Sequence, residues 1–206
     1  MLSLSDRRRK VLVAGQVADD RSVRLGRADV PNSLDLLRRV RDIETDAFII
    51  FKPHPDVVAG LRPGHVPANE AGRYVDLVLS DASIDDLLNN VDAVHVLTSL
   101  TGFEALLRGR EVITHGQPFY AGWGLTRDLA EPIARRTRVL TLEQLVAATL
   151  ILYPRYFDPV TGLPCPPEVL AQRLSVGLMP KPGFLQMLRS VQGQWNLVRR
   201  KQVMLQ

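Results

Sequence analysis

The chain has 206 residues, of which 46% are hydrophobic and 23% charged, a composition typical of one soluble globular domain. It excludes a disordered chain, a collagen-like repeat and a disulfide scaffold, and the single Cys165 has no partner for an intrachain bond. The net charge is +4, but the excess positive charge lies in residues 1–10 and 181–206, and residues 11–180 are mildly acidic. Because nucleic-acid-binding domains normally carry a basic surface on the fold itself, we expect no nucleic-acid partner.

Short apolar runs alternate with amphipathic segments in the first part of the chain. The apolar runs predict strands at residues 11–14, 47–51, 75–79, 93–97 and 112–114. Helices are predicted after Asn32, after Ser83 with a capping arrangement to Asp86, and over residues 102–107. Strands that are apolar throughout and separated by helices indicate a parallel sheet with helices on both faces, a Rossmann-like α/β fold.

The pattern changes after Gly116. Residues 118–124 form a loop dense in glycine and aromatic residues, and Thr141 caps a predicted helix that runs through Leu150. Residues 154–167 are rich in proline and irregular, and a further helix begins at Pro167. An apolar stripe then follows a helical spacing at Phe184, Leu188, Val191, Trp195 and Val198.

These patterns divide the chain into a basic segment (1–10), a Rossmann-like lobe (11–180) and a basic amphipathic helix (181–206). Such a helix either lies on an anionic membrane surface or packs back on the domain. No stretch reaches the roughly 18 apolar residues of a membrane span. With one cysteine and no secretory signal, we expect a cytoplasmic protein, peripheral on the membrane if the helix binds lipid.

Ligands of open parallel sheets bind beyond the carboxyl ends of the strands. Three unusual segments are predicted at that edge: GQVADDRS at residues 15–22, KPHPD at residues 52–56 and TSLTGFEALL at residues 98–107. The glycine-rich dinucleotide fingerprint and the lysine-containing phosphate loop do not occur. The histidines show no ligand spacing, so we expect no metal site and no cofactor.

The third segment combines hydroxyl side chains with a helix start. Thr98, Ser99 and Thr101 can bind a phosphate beside the free N–H groups, or simply cap the helix. Glu104 falls in the first turn, where the helix dipole favours a carboxylate, and it can also accept hydrogen bonds from a ribose.

The other two segments also leave alternatives open. Lys52 and His54 can converge on a phosphate leaving group, which His54 can protonate, although an isolated loop histidine is more often satisfied by backbone. Asp19 and Asp20 are ordinary turn residues unless they face a ligand. The aromatic side chains Phe119, Tyr120 and Trp123 either pack on the core or wall a pocket.

Together, these segments resemble the bacterial capsule β-Kdo transferases of the KpsC type over residues 11–174. The resemblance rests on residues 15–22, 52–56 and 98–107, on PFYAGWGLT at residues 118–126 with Asp128, and on residues 153–159 and 164–166. It implies the donor-binding, C-terminal lobe of a GT-B glycosyltransferase. The donor would be CMP-Kdo, the acceptor a lipid-linked capsule oligosaccharide, and the location the inner face of the membrane.

The resemblance also implies roles for individual residues. His54 and Lys52 would contact the CMP phosphate, Thr98 and Ser99 would add hydroxyl donors, and Glu104 would hold the ribose. Gln16, Asp20 and Ser22 would face the cleft near the sugar, with Asp20 a candidate catalytic carboxylate.

One departure from the family bears on activity. The acidic Glu-Asp-Gly-Phe motif of the other lobe is missing from this sequence. We therefore expect an incomplete enzyme whose site another lobe or partner chain completes. Two alternatives remain: a non-catalytic component of capsule assembly or export, and a UDP-sugar enzyme of the same fold.

Overall fold

The computed structural model describes residues 6–26 and 30–178. The predicted C-terminal helix with its apolar stripe lies outside the described residues. The chain divides between Val139 and Leu140 into two compact units, a boundary that falls inside the lobe predicted over residues 11–180.

The first unit is built on a six-stranded sheet. Its strands are β1 (Lys10–Ala14), β2 (Phe48–Lys52), β3 (Leu77–Val78), β4 (Ala93–Val96), β5 (Glu111–Thr114) and β6 (Arg127–Asp128). They pair in the order β3-β2-β1-β4-β5-β6, and every pairing is parallel. This is the doubly wound Rossmann order, in which right-handed crossovers place the helices of the two halves on opposite faces. The predicted α/β fold class is confirmed.

In the part of this unit that the structure describes, six helices connect the strands. They are α1 (Arg21–Leu25), α2 (Ser33–Ile43), α3 (Pro55–Val58), α4 (Ala68–Ala71), α5 (Ile84–Asn90) and α6 (Leu100–Leu107). Asn32 caps α2 as predicted, since its side chain accepts a hydrogen bond from the backbone N–H of Asp35 at 2.9 Å. The expected cap of α5 is different: Ser83 is its N-cap residue but makes no side-chain capping bond. Asp85 and Asp86 instead occupy its first turn, where the helix dipole favours them.

The core lies where the sequence is apolar. Val11, Leu12 and Val13 of β1 are fully buried between β2 and β4. Ile49 and Ile50 of β2, which pairs with β1 and β3, are fully buried too. A central parallel strand is covered on both faces, which is why these runs do not alternate with polar residues. The weaker run at residues 75–79 forms only the two-residue β3 at the edge of the sheet.

The second unit begins with a capping box. Thr141 accepts a hydrogen bond from the backbone N–H of Gln144, whose side chain accepts one from the Thr141 N–H, as expected of a helix start. The helix is α7 (Leu142–Val146), continued by a π-helical segment, Ala147–Leu152.

The proline-rich stretch is more regular than the sequence suggests. It holds the short antiparallel pair β7 (Tyr156–Phe157) and β8 (Pro164–Cys165), followed by α8 (Pro167–Ser175). The loop between the two strands is held by Asp158, which accepts hydrogen bonds from the backbone N–H of Val160 at 2.9 Å and from Arg173. Within the described ranges of the chain, no helix is long and apolar enough to cross a membrane.

Candidate functional site

A cleft of about 780 Å³ opens where the strand order reverses, between β1 and β4. This is the edge of the sheet at which the chain leaves β1, β2 and β4, and all three segments singled out from the sequence meet there. The lining includes every residue predicted to bind the donor or to act in catalysis: Gln16, Asp20, Ser22, Lys52, His54, Thr98, Ser99 and Glu104. The roles of these residues remain predictions.

His54 is both a cap and a cleft residue. It is the N-cap of α3, and its Nδ1 accepts a hydrogen bond from the backbone N–H of Asp56 at 3.1 Å. In the neutral ring the proton must then sit on Nε2, which has no hydrogen-bond partner among the described residues. The sequence left open whether His54 bonds to backbone or to a phosphate. The structure allows both, because Nδ1 is bonded to backbone and Nε2 is left as a donor for a ligand.

Lys52 supplies a cation beside this imidazole. Its Nζ donates to the carbonyl oxygen of Ser80 at 3.2 Å, which anchors the side chain at the cleft. Partial burial lowers the pKa of Lys52, and the nearby charge of Asp81 acts in the opposite direction. A partly desolvated ammonium interacts more strongly with an anion than an exposed one does.

Thr98 and Gln16 join the two halves of the sheet across the cleft floor. The Gln16 amide oxygen accepts from the backbone N–H of Thr98 at 2.8 Å, and the amide nitrogen donates to the Thr98 hydroxyl at 3.1 Å. Gln16 is 8% exposed, so this pair forms in a largely water-excluded place. Both polar atoms of the Gln16 amide therefore bond to Thr98, and the expected place of Gln16 near the sugar stays a prediction.

The start of α6 forms the far wall of the cleft. Ser99 is the N-cap, accepting from the backbone N–H of Thr101 at 3.2 Å, so its predicted capping role is formed. The residues of the first turn still present backbone N–H groups toward the N-terminal end, where an anion is favoured. Glu104 lies beyond the first turn of this helix, and its predicted place in the first turn is wrong because α6 begins at Leu100. Its side chain lines the cleft and has no partner among the described residues.

Asp20 occupies the opposite side, at the start of α1. Its carboxylate accepts from the backbone N–H of Ser22 at 2.9 Å, which lowers the pKa of Asp20. The Ser22 hydroxyl, Arg62 and His54 lower this pKa further, while desolvation raises it. Asp19 differs from its neighbour, because it turns away into an ion pair with Arg62 at 2.7 Å.

Of the three aromatic side chains expected to wall a pocket, only one lies in the cleft lining. Phe119 lines the cleft and packs against Phe103, with ring centroids 5.1 Å apart. Tyr120 is fully buried and Trp123 lies outside the lining, so the prediction that these two rings wall the cleft is wrong. Tyr120 is drawn inward because Gly102 leaves room for its ring. Trp123 stacks under the Arg136 guanidinium and donates to the carbonyl oxygen of Phe119 at 2.8 Å.

Sequence reasoning missed the apolar side of the cleft. Ala82, Ile84 and Leu100 line it next to Glu104, and Leu100 is 57% exposed. Ala82 lies in the turn before α5 and Ile84 is the first residue of that helix, neither of them in one of the three segments singled out from the sequence. Leu107 of the same helix is exposed as well, so an apolar residue at the first helical position was not in itself a sequence signal for this surface.

Comparison with known proteins places this geometry in a family. A family model described as "Capsule polysaccharide biosynthesis protein" matches residues 2–156, three quarters of the chain, and includes every cleft residue named above. The chain belongs to this family. The sequence motifs thus indicated the correct relationship.

Among curated proteins, the chain is similar to the capsule polysaccharide modification protein LipA of Neisseria meningitidis. The identity to the serogroup A protein is 54% over 164 residues, which is 80% of this chain and 23% of LipA. The lipopolysaccharide-processing protein LpsZ of Rhizobium meliloti is 45% identical over 152 residues, 74% of this chain and 34% of LpsZ. The chain thus spans a quarter to a third of the length of these relatives.

Among solved structures, the chain is similar to two structures of KpsC from Thermosulfurimonas dismutans. One, described as a beta Kdo 2,7 transferase, is 39% identical with a TM-score of 0.74, covering 82% of this chain and 53% of that one. The other, a beta Kdo 2,4 transferase, is 36% identical with a TM-score of 0.73, covering 84% and 53%. The resemblance to KpsC-type proteins is confirmed, and the fold of this chain is similar to that of the matched part of KpsC.

Proposed function

We propose that this chain is the donor-binding part of a glycosyltransferase that moves Kdo from CMP-Kdo to a capsule oligosaccharide. The observation that carries the proposal is the convergence of Lys52, the Nε2–H of His54 and the start of α6 on one cleft at the switch point of the sheet. A cation, an imidazole N–H donor and a helix N-terminus are groups that can bind a phosphate.

The arrangement suits the departure of a nucleoside monophosphate. When the bond between the sugar carbon and the phosphate oxygen breaks, its electron pair stays on the phosphate and negative charge grows there. Lys52 and the Nε2–H of His54 stabilise that charge in place, which lowers the barrier because the donors need no reorientation.

The sugar would lie toward α1. There the carboxylate of Asp20, held ionised by hydrogen bonds from Ser22, can stabilise the positive charge that develops on the sugar carbon. At the other end of the cleft, Glu104 would accept hydrogen bonds from the ribose. The apolar side chains of Ile84 and Leu100 would contact the base.

The acceptor belongs to the proposal as well. It would be a lipid-linked capsule oligosaccharide at the inner face of the membrane, and a second lobe or partner chain would complete the site. Since the chain spans only part of its relatives, we expect it to bind the donor alone and to transfer sugar only with that second lobe.

A series of calorimetric titrations tests the donor assignment. CMP, UMP, CMP-Kdo and UDP are titrated into the chain at one ionic strength. The proposal predicts that CMP and CMP-Kdo bind and that UMP and UDP bind at least about tenfold more weakly, a difference of about 1.4 kcal/mol. Preferential binding of UDP would assign the site to a UDP-sugar enzyme. No binding of any nucleotide at millimolar concentration would overturn the site and favour a non-catalytic assembly role.

A further inference from the structure

Three polar side chains at the sugar side of the cleft are joined by hydrogen bonds, from Gln16 to Thr98 and from Thr98 to Ser22. The carboxylate of Asp20 lies next to them and accepts a hydrogen bond from the Ser22 backbone N–H. Each link joins a different element, since Gln16 follows β1, Thr98 follows β4, and Ser22 lies on α1. All four residues line the cleft.

The direction of this chain is fixed at its start by backbone. The N–H of Thr98 can only donate, so the atom of the Gln16 amide that it meets at 2.8 Å must be the oxygen. The other amide atom is then the nitrogen, which can only donate, and it donates to the Thr98 hydroxyl at 3.1 Å.

The orientation of the Gln16 amide determines where the hydroxyl protons of Thr98 and Ser22 point. The described part of the chain offers the Thr98 hydroxyl no other acceptor than Ser22 Oγ at 3.1 Å, so the Thr98 proton goes to Ser22. Ser22 Oγ is now an acceptor for Thr98, and its own proton is left for a different acceptor. The Asp20 carboxylate is adjacent, tied to the Ser22 backbone N–H at 2.9 Å.

We propose that Gln16 is a positioning residue, which acts through Thr98 to point the hydroxyl proton of Ser22 at the carboxylate of Asp20. The effect is to hold that carboxylate as an oriented anion facing the sugar end of the cleft. A catalytic role for the oriented Asp20 carboxylate rests on the proposed function. The hydrogen bonds that orient it do not depend on that function. Linked donors polarise one another, so a bond two residues away still strengthens the last one.

The charges around Asp20 agree with this picture. The Ser22 backbone N–H and hydroxyl both lower the pKa of Asp20, and Arg62 and His54 add to that from the neighbouring loops. Asp19, the other acidic group beside it, is already paired with Arg62. The charged neighbours stay in place when Gln16, Thr98 or Ser22 is changed, so their contribution is constant across the variants below.

The test is the pKa of Asp20, measured by carbon-13 NMR titration of its carboxyl signal and assigned with Asp20→Asn. Ser22→Ala, Thr98→Val and Gln16→Met each remove one polar link, and we expect each to raise this pKa by about half a unit. Thr98→Ser keeps the hydroxyl and is the matched control, which we expect to leave the pKa within about 0.2 unit.

A double-mutant cycle separates relay from general disturbance. Gln16→Met is made in the Thr98→Val background, where no hydroxyl can carry its effect. We expect it to add no further shift there, because Gln16 acts through Thr98. If Thr98→Val does not fold, the same comparison in the Ser22→Ala background takes its place, since Ser22 is exposed.

An equal shift from Gln16→Met in both backgrounds, or an unchanged pKa in Ser22→Ala, would overturn the inference. These measurements need no nucleotide. The inference about Gln16 can therefore fail while CMP still binds, and it can hold if CMP does not bind, so its failure is distinguishable from failure of the proposed function.

Discussion

The Tyr120 hydroxyl donates a hydrogen bond to the carbonyl oxygen of Ser99, which ties the aromatic loop to the first residue of the cleft's far wall. Burial raises the pKa of Tyr120, so the hydroxyl stays a donor at all ordinary pH values. Gly102 is required next to it, because a Cβ there would collide with the Tyr120 hydroxyl. The loop motif and the α6 motif are thus two halves of one packing arrangement.

Tyr120→Phe tests this tie. Removing the hydroxyl takes one hydrogen bond from the Ser99 carbonyl, which still accepts one from the Gly102 N–H at 3.2 Å. We therefore expect the free energy of unfolding to fall by about 0.5–1.5 kcal/mol. Urea denaturation of the variant measures it. Tyr74→Phe is the matched control, because the one hydrogen bond that the Tyr74 hydroxyl makes with described residues is an exposed bond from Arg38 at 3.3 Å. Equal losses in the two variants would contradict the role given to Tyr120.

Asp128 organises the same loop from its other end. Its carboxylate accepts hydrogen bonds from the Thr114 hydroxyl at 2.8 Å, the Thr126 hydroxyl at 2.6 Å and the Gly122 N–H at 2.7 Å. We expect Asp128→Asn to lower the free energy of unfolding by about 1–3 kcal/mol, because an amide cannot accept all three. Asp42→Asn, on an exposed part of α2, should change it by less than about 0.5 kcal/mol. A loss at Asp128 no larger than that would show that the loop does not depend on this carboxylate.

Much of the fold could be predicted because the dominant signal is local. Strands β1, β2, β4 and β5 are short apolar runs, so each can be recognised from its own residues. The caps Asn32 and Thr141 can likewise be recognised from the few residues that follow them. The edge strands β3 and β6 have two residues each, and pairing across the sheet rather than their own sequence makes them strands. The same holds for β7 and β8, which pair across a proline-rich loop.

In the candidate site, too, some features depend on local sequence and others on distant residues. Positions after strand ends could be predicted, since parallel topology brings those ends to one edge. What each side chain does there depends on long-range partners that the sequence does not display. Gln16 meets Thr98 across 82 positions of the chain, and Tyr120 turns inward because of Gly102 rather than because of its own loop.

A buried histidine pair predicts how stability responds to acid. His95 and His115 are fully buried, with His95 Nδ1 and His115 Nε2 2.9 Å apart. Desolvation, then the charge of the neighbouring histidine, lowers the pKa of His95 to about 3, and desolvation, then Arg39 and Arg127, lowers that of His115 to about 4. In the unfolded chain both would return to about 6.5.

These lowered pKa values determine whether acid stabilises or destabilises the fold. As pH falls below about 6.5 the unfolded chain takes up protons and the folded one does not, so stability is lost progressively toward pH 4. The slope should reach about 1.4 kcal/mol per pH unit for each histidine. Urea denaturation at several pH values should show a flatter slope for His115→Gln and an unchanged one for the exposed His65→Gln. An unchanged slope in His115→Gln would contradict the assignment.

Lys52→Met removes a charge and keeps the aliphatic stem. If Lys52 attracts the phosphate, the variant should bind CMP about three- to tenfold more weakly at low salt, and its affinity should depend less on salt concentration. Calorimetric titration at two ionic strengths measures both effects. Lys10→Met is the control at the opposite end of β1, and it should match the wild type. The same salt dependence with and without the Lys52 charge would exclude a direct contact.

The most direct test of the central claim is CMP binding to His54→Asn. Asparagine is a good N-cap, so it keeps the acceptor that Asp56 needs. Its own NH2 donor lies on a shorter side chain, so no N–H donor remains at the position of the histidine Nε2. We predict about tenfold weaker CMP binding with an unchanged melting temperature, and wild-type binding for the exposed His65→Asn. Wild-type affinity in His54→Asn would contradict the placement of the nucleotide phosphate in this cleft.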